Sequence, residues 1–431
     1  MQEGMLTESD AVPAAKAGLT RELSSRRPGD KVKSVARLTA LSGRVAYHLA
    51  KERVTNPRPV RLIEVPPSPD HLTDEWLTAA LCDGVSGARV LSHELGPRDD
   101  GTTSRRTLRV HYNDVGREAG LTEALFTKSS PDFPTRLISA IAGLAITEST
   151  FYTQIRPQLS IEAPTNKYSG FDPNSNRQLL ITDDITQTRG AVFDNVLTRQ
   201  MNLDVAEQII DTLAALHATF WRAPLGNRFG NWLLNGYEYI DRADKTFKMS
   251  KRILVGFDRS REVVDPAFFN RRKEVPDALF KALYMNATIG PQTLLHGDVH
   301  PGNWFQTAEG RMGLHDWQCI VRGGGIRDVA YALSTHLPIE DRRNWERDLI
   351  ARYCERLAEA GCEPVNFEET FTNYRQQMLH GVLMWMTTIG FYKVHPIKQT
   401  VEITLETIRR ACQAAADHDT LDVIAAARLP L

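Results

Sequence analysis

Apolar residues recur along this chain at two periods, and the change of period divides it. Val32, Val35, Leu38, Leu41, Val45 and Leu49 are spaced by three and four, which predicts one helix with an apolar stripe. After Pro66-Pro67-Ser68-Pro69, Thr73 stands where it can cap a short helix carrying Trp76, Leu77 and Leu81. Val90–Leu95 then reads as a strand, Gly96–Gly101 as a turn, and 107–112 as a second strand with Leu108, Val110 and Tyr112 on one face. Leu125–Lys128 forms a third strand. Residues 136–156 have a helical pattern, with Ile138, Ile141, Leu144 and Ala145 on the buried side. Gln178–Thr182 is a strand that Asp183-Asp184 ends. From Leu203 onward the period is helical, apart from an irregular stretch at 294–327.

A β-rich part followed by an α-rich part predicts an α+β fold of two lobes with a cleft between them. The expected division is an extension at 1–60, a sheet-bearing lobe and hinge at 61–185, and a helical lobe at 186–431 with the catalytic loop and acceptor site. No internal repeat and no low-complexity tract interrupts it.

Composition narrows the classes of function. The chain has 431 residues, 42% hydrophobic and 24% charged, with a formal net charge of −1. It is long enough for separate cores, and no global field points to nucleic acid or an anionic membrane. The five cysteines, Cys82, Cys319, Cys354, Cys362 and Cys412, are scattered without metal spacing, which suits a reducing cytoplasm. The longest apolar run near the C-terminus, Gly381–Tyr392, is too short to span a bilayer, which takes roughly 20 residues. Residues 1–60 carry 11 Lys and Arg against six Asp and Glu, so a membrane-surface helix is conceivable there. A stripe of Val and Leu without Trp or Phe favours packing on the protein itself or on a partner subunit.

The chemistry concentrates in Leu294–Gln318, LLHGDVHPGNWFQTAEGRMGLHDWQ. His296-Gly297-Asp298 is followed by Asn303 five residues on, and by Asp316 after a short hairpin turning at Glu309-Gly310. This is the layout of a kinase-type phosphoryl-transfer site. One carboxylate orients the acceptor hydroxyl, while an amide and a second carboxylate hold Mg²⁺ on the nucleotide phosphates. Asp298 is the expected catalytic base, and Asn303 and Asp316 are the expected metal ligands. Upstream, Lys128 at a strand end and Glu148 on the next helix would form the ion pair that holds the phosphates. The Gly96–Gly101 turn would cover the phosphates. Thr182, Asp183 and Ile185 would form the hinge, offering backbone groups to the base. His296, His300, His217 and Asp328 read as scaffold, with Asp328 capping a helix and bracing the loop. His315 stands where an aliphatic residue would pack. Glycines 323–325 are expected to form a mobile loop near the cleft.

These segments resemble the aminoglycoside phosphotransferase and choline kinase group, most closely its ecdysteroid-kinase-like branch. The matching stretches are LTDEWL (72–77), the Lys128 strand, ESTFY (148–152), LLITDDI (179–185), LHATFW (216–221), HGDVHPGNW (296–304), LHDWQ (314–318) and RDVAY (327–331). The resemblance spans about 70–425. It implies a protein-kinase-like bilobal fold, Mg·ATP as donor and a small-molecule hydroxyl as acceptor. GTP is the other candidate donor. The residues agree on the acceptor: Arg327 follows Asp316 by only eleven positions, too few for the activation segment of a peptide-directed kinase. Aromatics at Trp232, Tyr237, Tyr239, Trp385 and Tyr392 are candidates to line the acceptor pocket. With no cluster of Asp and Glu to hold a polycation, a weakly charged alcohol is the favoured acceptor. The competing expectation is a catalytically silent nucleotide-binding or scaffold protein of the same fold.

Overall fold

The computed structural model describes residues 28–230, 232–391 and 399–429; Tyr392 lies outside them, as do residues 1–27. The N-terminal part is built on an antiparallel sheet. Its strands are β1 (Val90–Leu95), β2 (Asp99–Asp100), β3 (Ser104–Tyr112), β4 (Ala124–Ser129), β5 (Asn166–Asp172) and β6 (Arg177–Asp183), in the order β1-β3-β4-β6-β5 with β2 on β3. The alternation in β3 buries Leu108, Val110 and Tyr112 beneath Trp76 and Leu77 of α1 (Asp74–Leu81), along with Leu125, Leu179 and Ile181. Thr73 caps α1 as expected, its side chain accepting from the Trp76 N–H. β5 has no clear alternation in sequence, and every residue of it is half-buried.

The opposite face of the sheet points at the cleft. Lys128 lies across from Arg105 of β3 on one side and Leu180 of β6 on the other. The hinge leads into a mostly helical part with its own larger core, from Ile209 and Leu213 through Trp304 and Leu333 to Leu383.

Three expectations need correction. Residues 136–156 are not one helix. α2 (Phe133–Ala142) stops at Gly143, whose φ of +71° only glycine adopts freely, and α3 (Leu144–Thr150) starts anew. On α2 the fully buried residues are Thr135, Arg136 and Ser139, while Ile138 and Ile141 are half-buried. The reason lies upstream. A helix at Pro28–Thr55 packs on α2 and places Glu52 against Arg136. The expected extension helix therefore exists and packs on its own chain through Val45, Leu49 and Glu52. Glycines 323–325, expected as a mobile loop, are instead closely packed: the Gly324 N–H donates to the Asn286 carbonyl, and a Cβ on Gly325 would strike Tyr353 and His217.

Candidate active site

The catalytic stretch forms β7 (Thr293–Leu295), a loop, a 3₁₀ turn at Pro301–Asn303, and the hairpin β8 (Trp304–Gln306) to β9 (Met312–Leu314). The loop is held from below by Asp328. One carboxylate oxygen accepts the His296 N–H at 2.7 Å, and both accept from Gly297 at 3.3 Å. Asp328 sits in the first turn of α4 (Ile326–His336), whose N-cap is Gly325, so it braces the loop and does not cap the helix. His217 packs against it at 3.6 Å and bonds the Tyr353 hydroxyl at 2.8 Å. Gly297 has φ +81°, and a Cβ there would strike the Cys319 carbonyl.

This bracing presents Asp298 to the cleft. The Tyr331 hydroxyl, one turn beyond Asp328 on α4, donates to Asp298 Oδ1 at 3.2 Å. His300 lies 3.8 Å from Oδ2. Asn303 Nδ2 donates to the Asp298 carbonyl at 2.7 Å, which leaves its Oδ1 as the oxygen that can face a cation. His296 stays scaffold: its Nε2 meets the His315 carbonyl at 3.0 Å, and its ring packs on the Trp317 edge. His315 also has a role. Its Nε2 donates to the Gly302 carbonyl at 3.1 Å, tying the hairpin end back to the loop. Burial drives its pKa down to about 4, so this donor is neutral.

Asp316 has a left-handed backbone, φ +64°, which a non-glycine residue holds only under constraint. The constraint is Trp317, fully buried and stacked on Phe151 at 3.9 Å between centroids. Phe151 lies three residues beyond Glu148, so the same stack ties the helix of Glu148 to the end of the hairpin. Lys128 Nζ then reaches both carboxylates, Glu148 at 2.7 Å and Asp316 at 2.8 Å. Gln178 Nε2 holds the other oxygen of Glu148 at 2.9 Å.

Two carboxylates compete for one ammonium here. Burial works against charge on Lys128, but Asp316 and Glu148 together keep its pKa above the ordinary lysine value. Burial also opposes ionisation of Asp316, but Lys128 overrides it and brings the carboxyl down to about 2. At Glu148 burial wins and the pKa is raised.

The remaining expected residues divide. An open pocket under the sheet is lined by Glu94, Gly96, Thr107, Arg109, Ala124 and Asp184. Gly96 thus lies on the wall of this pocket. Gly101 sits in the same turn, donating its N–H to the Thr103 carbonyl at 2.7 Å. Thr182, Asp183 and Ile185 are all buried. The Asp183 carboxylate accepts from the Thr165 N–H and from Arg189, so its side chain is part of the framework. Asp184, expected in the hinge, lines this pocket, and Arg109 and Arg105 are the polar neighbours that sequence reasoning missed. Strand register alone would have shown Arg105 beside Lys128, once β3 and β4 were aligned. Of the candidate acceptor aromatics, Trp385 packs on His300 at 5.6 Å between centroids, and Tyr239 reaches Cys319 beside the loop. Tyr237 packs on Phe280 and Tyr284, and Trp232 against the large core.

Comparison with known proteins now adds a family. Residues 179–365 match the phosphotransferase enzyme family, a segment that contains Asp298, Asn303, Asp316 and Asp328. The match covers less than half of the chain and is a likeness of that segment alone. The chain is 13% identical to each of three solved structures. A protein provisionally assigned as an aminoglycoside phosphotransferase from Ralstonia eutropha aligns over 83% of this chain and 98% of its own, with a TM-score of 0.48. The choline kinase of Streptococcus pneumoniae aligns over 79% and 98%, with a TM-score of 0.41. A spectinomycin phosphotransferase, solved with ADP and spectinomycin, aligns over 80% and 97%, with a TM-score of 0.42. With TM-scores below 0.5, these likenesses decide nothing about the acceptor. Comparison by sequence with curated proteins finds no match. Among the described residues, no helix is long and apolar enough to cross a membrane.

Proposed function

We propose that this protein is an ATP- and Mg²⁺-dependent kinase that moves the γ-phosphate to the hydroxyl of a small molecule. The single observation that carries the proposal is the convergence of Lys128, Glu148 and Asp316, from a strand, a helix and a hairpin end, beside a loop that presents Asp298 and Asn303. In this reading Asp298 orients the acceptor hydroxyl and takes its proton, with Tyr331 fixing the carboxylate. Lys128 moves from Asp316 to the donor's phosphates, held in place by Glu148. The turn from Gly96 to Gly101 covers those phosphates, and the backbone around Thr182, Asp183 and Ile185 edges the base.

The donor set fits Mg²⁺. Asp316 is ionised throughout the physiological range, and Asn303 adds an amide oxygen; both are hard oxygen ligands. Among the described residues no group of three or more His, Cys, Asp or Glu side chains forms a metal cluster. The cation would be held by one carboxylate, one amide and the phosphates it arrives with. The bound ion would neutralise charge on the transferring phosphoryl group.

The acceptor proposed is a weakly charged alcohol. Tyr239, Tyr331 and Trp385 near Asp298 supply aromatic surface for it. Division into lobes at 61–185 and 186–431 belongs to this reading, as does a cytoplasmic location, which five unpaired cysteines support. Calorimetric titration of ATP and of GTP tests the donor site, with and without Mg²⁺. Wild type is expected to bind one of them in a Mg²⁺-dependent way, and Asp316→Asn to lose that dependence. Equal binding by both proteins would overturn the metal assignment. A wild type that binds nucleotide but transfers phosphate to no alcohol in a mass-spectrometric screen would favour the silent-protein reading.

A further inference from the structure

The helix Pro28–Thr55 lies outside everything the family match covers, yet it ends on the most buried charge pair of the sheet-bearing part. Val45, Leu49 and Glu52 follow one another at helical spacing, so Glu52 sits on the buried stripe, where a leucine would serve docking alone. A carboxylate there is unfavourable unless it is fully paired. It is paired twice. Glu52 Oε1 accepts from Arg136 Nη1 at 2.7 Å and from Arg177 Nε at 2.8 Å, and Arg136 has no exposed surface. These two guanidiniums keep the Glu52 pKa low although burial opposes them.

Each arginine continues toward the phosphate clamp. Arg136 Nε donates to the Ser130 carbonyl at 3.0 Å, two residues beyond Lys128. Arg177 starts β6, and the next residue, Gln178, holds Glu148. Between these two points β4 and β6 are paired, with Ser129 across from Leu179 and Lys128 across from Leu180. Glu52 thus grips the end of the strand that carries Lys128 and the start of the strand that carries the partner of Glu148.

We propose that Glu52 is a positioning residue for the nucleotide phosphates: from the N-terminal helix, through Arg136 and Arg177, it fixes the spacing of Lys128 and Glu148. The proposal rests on the reading of Lys128–Glu148 as the clamp. It gives the N-terminal helix a part in donor binding beyond covering the sheet.

The test measures ATP and adenosine affinity by calorimetry, in Mg²⁺, together with the melting temperature, on the full chain. The proteins are wild type, Lys128→Ala, Glu52→Gln, and Glu52→Gln combined with Arg136→Met. Lys128→Ala, which loses the phosphate contact itself, is expected to weaken ATP by at least about tenfold, and Glu52→Gln about tenfold, as loss of an outer supporting partner does, with adenosine unchanged in both. The double variant removes both buried charges. It is expected to regain melting temperature while ATP stays weak. Recovery of ATP affinity along with melting temperature would reduce Glu52 to a stability role and overturn the proposal. Normal ATP affinity in Glu52→Gln, with loss in Lys128→Ala, would overturn it while leaving the clamp intact. Normal affinity in Lys128→Ala would overturn the clamp reading itself.

Discussion

Asp298 and Asn303 lie five residues apart on one braced loop, whereas Lys128 and Asp316 meet across a sequence separation of 188. The two halves of the site are consequently held by different means. The loop is fixed mainly through its backbone: the Asp328 carboxylate accepts from two N–H groups, His315 donates to a carbonyl, and Tyr331 holds Asp298. The clamp is fixed by charges that pair with each other, with Gln178 on Glu148 and Gln318 on Asp316. A site of the first kind can lose its reactive group and keep its shape. A site of the second kind loses shape and ligand together, because every member is another's counter-ion.

The largest expected effect tests the loop half. Asp298→Asn should lower kcat by about 10²–10⁴-fold, the usual loss on removing a general base, and leave ATP affinity within about twofold. Affinity falling in parallel with kcat would mean that the loop is not independently braced, and the contrast would fail.

The clamp half is expected to respond in stability. Lys128→Ala leaves the buried Glu148 and the half-buried Asp316 without their ammonium, which costs about 3–5 kcal/mol in urea unfolding. Glu148→Gln added to it should recover part of that loss, because one of the two unpaired carboxylates is then neutral. Additive losses in the double variant would show that the two do not share a counter-ion.

The smallest effect probes the hinge between the halves. His315 is neutral in the folded protein, with a pKa near 4 against about 6.5 when unfolded. Between those values the unfolded chain binds the extra proton, so stability falls as pH falls through 6.5 and stops falling on this account below 4. His315→Asn should therefore lose about 2 kcal/mol less than wild type between pH 7 and pH 5. Buried His380, with its pKa pushed down to about 3, titrates in both proteins and cancels from the difference. Parallel pH profiles for the two proteins would put His315 in solvent.

The same contrast explains what could be read from the amino acids. In the loop, spacing is geometry: five residues between Asp298 and Asn303, and a hairpin before Asp316, leave few ways to fold. Period did the same for α1, capped at Thr73, and for the inward face of β3, because burial selects one face of each element. Arg136–Arg156 failed for the opposite reason. Its helical period continues through Gly143, and only a left-handed residue in the folded chain shows the break. β5 escaped notice because a half-buried strand has no alternation to show.

By itself, then, the sequence determined the order of most elements, the α+β class and the local spacing of Asp298, Asn303 and Asp316. Each depends on contacts within a turn or a hairpin. Tertiary structure decided which carboxylate holds Lys128 and that Asp183 serves the framework. It also placed Tyr331 on Asp298, Arg105 beside Lys128, and Glu52 on two distant arginines. Those outcomes depend on register and on which charges are buried together. Desolvation makes such pairings compulsory only after the chain has closed around them.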